Sequence, residues 1–166
     1  MRIYLPATSM TLRSLLAESV LDAVPLTAFA VTPGLREWYV DDDIEELEYA
    51  ASAEAARASL RLLAADSEAA GRRVVVAADV PEEQVEIRDD LDRGVVRIGT
   101  PIPLSACASI HADDEDAEAA VRTAIENIDR ADLGDPDAEF LVDEADGFEL
   151  SWYATQELGD LLDSLG

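Results

Sequence analysis

The chain has 166 residues, with 12 Arg, no Lys and 37 acidic residues, for a formal net charge of −25. A polyanion of this kind repels nucleic acid and anionic membranes, which removes direct DNA or RNA binding from the expected functions. The single cysteine, Cys107, rules out an intramolecular disulfide, and the length is enough to bury a core without cross-links or metal.

The acidic excess is concentrated. Residues 41–70 carry 2 Arg against 9 acids and residues 113–166 carry 2 against 18, whereas residues 1–40 are balanced. No apolar run approaches the length of a membrane span. The opening segment reads as a strand and lacks the apolar stretch of a signal peptide, so a cytoplasmic location is expected. One domain over residues 1–166 is expected from the length.

In chain order, Arg2 to Ala7 reads as a strand, with a β-branched and an aromatic residue in its alternation. Thr8 or Ser9 caps a helix whose apolar face is Met10, Leu12, Leu15 and Leu16. Pro25 interrupts the chain before a buried strand over residues 27–31. Thr32 then serves as N-cap with Pro33 at the first helical position, opening a short helix to Tyr39.

The run Asp41-Asp42-Asp43 launches a long alanine-rich helix over residues 43–66. Its predicted core stripe is Ile44, Leu47, Ala51, Ala55, Ala58 and Leu62, widened by Leu60 and Leu63. Acids in its first turns suit the helix dipole.

Arg73 to Val80 contains the continuous apolar run of a strand buried on both faces, and Pro81 ends it. Val85–Ile87 and Val95–Ile98 predict a hairpin around residues 89–94, followed by a stiff connector at Pro101 and Pro103. Strict alternation from Ser105 predicts a strand with Cys107, Ser109 and His111 on one face. Asp113 is placed as the cap of a helix over residues 114–128, with Asp116 as its capping-box partner. Residues 129–137 read as an Asp-rich loop, residues 140–142 and 148–152 as a second hairpin, and Thr155 as the opening of a last helix bearing Leu158, Leu161 and Leu162. The interleaving predicts an α+β fold, a two-layer sandwich of a mixed β-sheet covered by helices.

No catalytic or cofactor signature is present: no GxGxxG, no GxxxxGK[ST], no HExxH and no GxSxG. One His and one Cys do not make a structural zinc site. Cys107 and His111 are four strand residues apart, about 13 Å, beyond proton-transfer reach. The acidic runs Asp41–Asp43 and Asp113–Asp116 lack the alternate spacing of an EF-hand loop and read as helix-start charges. No catalytic residue, metal or cofactor is therefore expected.

One pattern stands out. Four strand-to-helix junctions, at residues 4–8, 31–36, 110–113 and 152–155, each end in a polar cap. If their strands ran parallel, Tyr4, Thr8, Thr32, Arg36, His111, Tyr153 and Thr155 would converge on one sheet edge, with Arg36 as counter-charge to an anionic ligand.

Several stretches carry a resemblance. Met1 to Thr8, Val31-Thr32-Pro33-Gly34-Leu35-Arg36-Glu37-Trp38-Tyr39, Glu46 to Ala51, Ala56 to Leu63, Arg72 to Pro81 and Trp152 to Leu158 resemble a family of small acidic actinobacterial proteins without assigned function. The resemblance implies a bacterial cytoplasmic protein from a GC-rich genome, and brings no activity or cofactor. The expected function is a non-catalytic protein-interaction or regulatory module with an unidentified protein partner, using exposed aromatics among Trp38, Tyr39 and Trp152. The alternatives are a small anionic-ligand protein or enzyme centred on Arg36, and an acidic mimic of nucleic acid.

Overall fold

The computed structural model describes residues 1–40 and 42–165. Asp41, part of the acidic run singled out above, lies outside the described residues. The strands are β1 (Arg2–Ala7), β2 (Val20–Leu21), β3 (Leu26–Phe29), β4 (Val74–Asp79), β5 (Val85–Ile87), β6 (Val95–Ile98), β7 (Ile102–Pro103), β8 (Cys107–Ala112) and β9 (Ser151–Tyr153). The helices are α1 (Ser9–Glu18), α2 (Pro33–Trp38), α3 (Ile44–Ala65), α4 (Glu118–Asp132), α5 (Pro136–Asp143) and α6 (Leu158–Leu165).

Seven strands form one sheet in the order β5-β6-β3-β1-β4-β8-β9, and β2 pairs separately with β7. The class is α+β, as expected. Every pairing among the described residues is antiparallel, where a mixed sheet was expected. The β1–β4 ladder forms the centre, in register from Arg2↔Asp79 to Ala7↔Val74.

Alternation along these strands divides the core. On one face Ile3, Leu5, Val74, Val76, Ile110 and Ala112 pack against Leu12 and Leu15 of α1 and the leucines of α6. On the other, Tyr4, Phe29, Val75, Ala77 and Val95 meet Ala51, Ala55 and Ala56 of α3. Small Ala side chains let α3 lie close on the sheet. A third cluster joins Leu60 and Leu63 of α3 to Val121, Ala124 and Ile128 of α4 and to Ala138 and Val142 of α5. Helices thus cover both sheet faces, with a further helical layer beyond α3.

Ser59, absent from the predicted stripe, is fully buried. Its hydroxyl donates to the Ala7 carbonyl at 2.6 Å and accepts from the Val74 amide at 3.1 Å, pinning α3 to the end of the β1–β4 ladder. Ile44 and Leu62, placed in the stripe, are exposed instead. The buried face follows Leu47, Ala50, Ala51, Ala55, Ser59 and Leu63, rotated because the helix is clasped on two sides.

Three local expectations are corrected. The hairpin over residues 140–152 does not form; Asp135 accepts from the amides of Asp137 and Ala138, Pro136 occupies the first turn, and α5 runs to Asp143. Ala138 and Val142, four apart, take the buried face, and only residues 151–153 are a strand. A short apolar triplet such as Phe140-Leu141-Val142 fits either element, and the cap decides.

Asp113 does not cap the following helix. Its carboxylate belongs to Arg73, as described below. The third correction concerns β8, where a register shift between Ala77 and Ala78 sets Ser109 opposite Ala77 but Cys107 opposite Ala78. This bulge turns Cys107 to the α1–α6 face while Ser109 and His111 keep the α3 face.

Candidate functional site

Antiparallel pairing separates the four junctions. β1 and β8 both run antiparallel to β4, so Thr8 and Asp113 lie at one end of the sheet. β3 runs against β1 and β9 against β8, which carries Thr32, Arg36 and Thr155 to the other end. Thr8 caps α1 in a reciprocal box with Thr11. Tyr153 lines a separate groove with Arg72 and Asp114. Thr155 opens a 3-10 turn, but the capping contact there is Glu157 accepting from the Ala154 amide at 2.8 Å.

The junction at Thr32 is filled from within. Asp89 accepts from the Thr32 hydroxyl at 2.6 Å, the Gly34 amide at 2.9 Å and the Gly94 amide at 3.0 Å. Thr32 in turn caps the Leu35 amide. A Cβ at position 34 would lie 2.6 Å from the Asp89 carboxyl carbon, so glycine is required there by close approach. An internal carboxylate thus occupies the anion-favouring start of α2. Arg36 points away and pairs with Asp42 at 3.1 Å, both exposed.

Partial burial raises the Asp89 pKa, but the bonds from Thr32, Gly94 and Gly34 outweigh it and hold the group below the ordinary aspartate value of 3.8. A depressed folded-state pKa stabilises the fold above the unfolded value and loses that stabilisation as pH falls through the folded value. Asp89→Asn keeps the shape but not the charge. Urea unfolding should show a stability gap between wild type and this variant that is constant near neutrality and shrinks as pH drops below 3.8. A gap of equal size throughout would mean that the charge contributes nothing.

Tyr4 and His111 do share one site. They lie on the α3 face of the sheet, on strands flanking β4, and help line a cavity of 620 Å³. One wall is α3, contributing Glu45, Glu48, Tyr49, Ser52, Ala53 and Ala56, whose spacing of three and four residues is one helical stripe. The opposite wall is the segment around Asp146, Phe148, Glu149 and Leu150. Its volume falls in the range of small-ligand sites.

Many of the cavity's polar groups have partners. The Tyr4 hydroxyl donates to Glu48 at 2.9 Å; desolvation and then this contact with a carboxylate push the phenol pKa up. Ser109 and the His111 Nε2 are 2.9 Å apart. Burial, and secondarily the charge of Arg2, lower the His111 pKa, which favours the neutral ring. Burial likewise raises Asp146. Across the mouth the Tyr49 hydroxyl faces Glu149 at 3.5 Å.

Arg73 closes the inner end. Its guanidinium donates to both carboxylate oxygens of Asp113, at 2.9 and 2.7 Å, and to the Phe148 carbonyl at 2.8 Å. The Arg73 amide also reaches Asp113 at 2.8 Å, and both side chains are almost completely buried. This knot joins β4, β8 and the cavity wall.

The comparisons with known proteins bear on the whole chain. A model described as "Family of unknown function (DUF6912)" matches residues 1–162. The chain belongs to that family. Its membership agrees with the resemblance of the six stretches to a family without assigned function. No curated protein and no solved structure matches the DUF6912 chain.

Of the seven residues proposed for the junction edge, the DUF6912 fold brings only Tyr4 and His111 into this cavity. Sequence reasoning passed over Glu48, Tyr49, Asp146 and Phe148. The signal for the first two was present: they flank the alanine stripe of the predicted long helix. Nothing local marked Asp146 or Phe148, which reach the cavity only because α5 folds back on α4.

The aromatics expected to form a docking patch are exposed but not alike. Trp38 lies beneath the Arg93 guanidinium, 3.5 Å from its ring centroid, and Trp152 stands on the edge strand β9 opposite His111. Tyr39 lines a more open groove that shares Glu45, Tyr49 and Ala53 with the cavity.

Proposed function

We propose that this protein is a non-catalytic binding module, and that the cavity between α3 and the segment at residues 146–150 receives its ligand or a partner's side chain. The supporting observation is a concave, aromatic-walled space of 620 Å³ whose histidine is paired to a serine. Ser109, the hydroxyl paired to His111, is buried and is not part of the cavity lining, and Cys107 lies on the other sheet face, where burial pushes its thiol up to about 11. The single buried thiol and the charge of −25 support a cytoplasmic setting and a partner other than nucleic acid. No helix among the described residues is long and apolar enough to cross a membrane.

The reading is tested by filling the space. Ala53 is an exposed position on the cavity wall, so Ala53→Trp obstructs the cavity without entering the core. A thermal-shift panel of amines, carboxylates, nucleotides and phosphorylated metabolites is run on both proteins. A ligand at a hundred times its dissociation constant adds about 2.7 kcal/mol. The expected result is a saturable shift in wild type that Ala53→Trp removes. Shifts that survive the substitution place the site elsewhere and overturn the reading.

A further inference from the structure

We infer that the cavity selects an organic cation, an ammonium, amidinium or guanidinium head on an apolar or aromatic body; this inference rests on the cavity reading above. Four carboxylates, Glu45, Glu48, Asp146 and Glu149, surround the space. The guanidinium at its inner end, Arg73, is neutralised by Asp113. Arg2, close enough to influence both Tyr4 and His111, is held by Asp79 at 2.7 and 3.0 Å. Burial favours the neutral ring of His111. The charge left without a partner is negative.

The aromatic component fixes the ligand class further. Tyr4, Tyr49 and Phe148 line the space, with Ala53, Ala56 and Leu150 supplying apolar contact. Aromatic faces attract cations through their quadrupole and pack against apolar bodies. A bare metal ion is disfavoured by the spread of the acids: among the described residues no group of three or more His, Cys, Asp or Glu is gathered to hold one. Separated carboxylates with rings between them match a head-and-body cation instead. An anion would meet four carboxylates, while the guanidinium groups near them, Arg73, Arg2 and Arg57, are each paired with an aspartate.

The test uses three molecules of nearly one shape and different charge: benzamidinium, benzamide and benzoate. Each is titrated by calorimetry into the full chain at about 150 mM salt, where screening over about 8 Å suppresses diffuse attraction to the acidic surface. Benzamidinium is expected to bind saturably and the other two not. Glu48→Gln with Glu149→Gln, which keeps an acceptor for Tyr4, should weaken it about tenfold or more. Asp160→Asn with Asp163→Asn, on α6 across the sheet, should leave it unchanged.

Equal loss in both double variants, or no benzamidinium binding, overturns the cation assignment. Binding of benzamide or benzoate as tight as that of benzamidinium also overturns it, while the cavity reading stands if Ala53→Trp blocks them. Binding of every ligand undisturbed by Ala53→Trp overturns the cavity reading itself.

Discussion

Asp113→Ala is expected to cost about 3–5 kcal/mol of stability, because it strands a buried guanidinium with no counter-charge. Arg73 and Asp113 are 3% and 0% exposed, so water cannot replace the lost partner. The carboxylate accepts three hydrogen bonds, from the Arg73 amide, Nε and one terminal nitrogen. Removing it leaves the amide and most of the guanidinium unmet, with only the Phe148 carbonyl remaining. For a chain of this length each kcal/mol moves the melting temperature by about 2–4 °C, so a fall of about 10 °C is expected. Urea denaturation at unchanged slope would confirm that the native state, not the unfolded ensemble, is affected. Replacing both residues by Met and Leu should recover part of the loss, since the desolvation of two charges then disappears. A cost below about 1 kcal/mol for Asp113→Ala would class the pair with exposed ion pairs and refute its structural role.

Leu60→Ala is expected to cost about 2–5 kcal/mol, the range for truncating a buried leucine whose surroundings cannot collapse. Leu60 is 1% exposed and stands where α3 meets Val121, Ala124 and Ile128 of α4. The same helix presents Ala51, Ala55 and Ala56 to the sheet, so it cannot shift toward α4 without opening a gap behind it. The loss should be felt first in the outer layer. Hydrogen exchange should accelerate across residues 118–132 more than in the β1–β4 ladder. Uniform acceleration would show that the layers unfold as one unit.

Legibility in the sequence followed locality. The alanine-rich helix was visible because its apolar spacing and its acidic start act within a few residues; the structure puts it at Ile44–Ala65, with Asp43, read as its first residue, serving as the cap. Thr32 with Pro33 marked α2 by the same logic, and the strand-length apolar run near Val74-Val75-Val76 became the central β4. Where a local signal had two physical solutions, the reading failed. Phe140-Leu141-Val142 suits a strand or a helix, and packing of Ala138 and Val142 against α4 chose the helix. Asp113 stood directly before its predicted helix, as a cap would, but a buried guanidinium forty positions away is the stronger electrostatic partner.

The candidate site shows the same division. That α3 carries Glu45, Glu48 and Tyr49 on one stripe is a property of its sequence and of 3.6 residues per turn. That the stripe faces Tyr4, His111 and Phe148 across a cavity depends on strand order, on antiparallel direction and on the knot holding residue 148. The bulge between Ala77 and Ala78, which parts Cys107 from His111, has no sequence marker either, because register is a relation between two strands.

The sequence by itself determined the class, the caps at Thr8 and Thr32, the helices with strong periodicity and the excess of negative charge, since each depends on neighbours along the chain. Only the tertiary structure decided which carboxylates stay free and which are occupied. Asp89 is bound at α2, Asp113 at Arg73 and Asp79 at Arg2, while Glu45 and Asp146 line the open cavity. An aspartate's residue type is the same in all these places. Its role is set by which distant donors the fold brings within three ångströms, and by how much water the same packing removes.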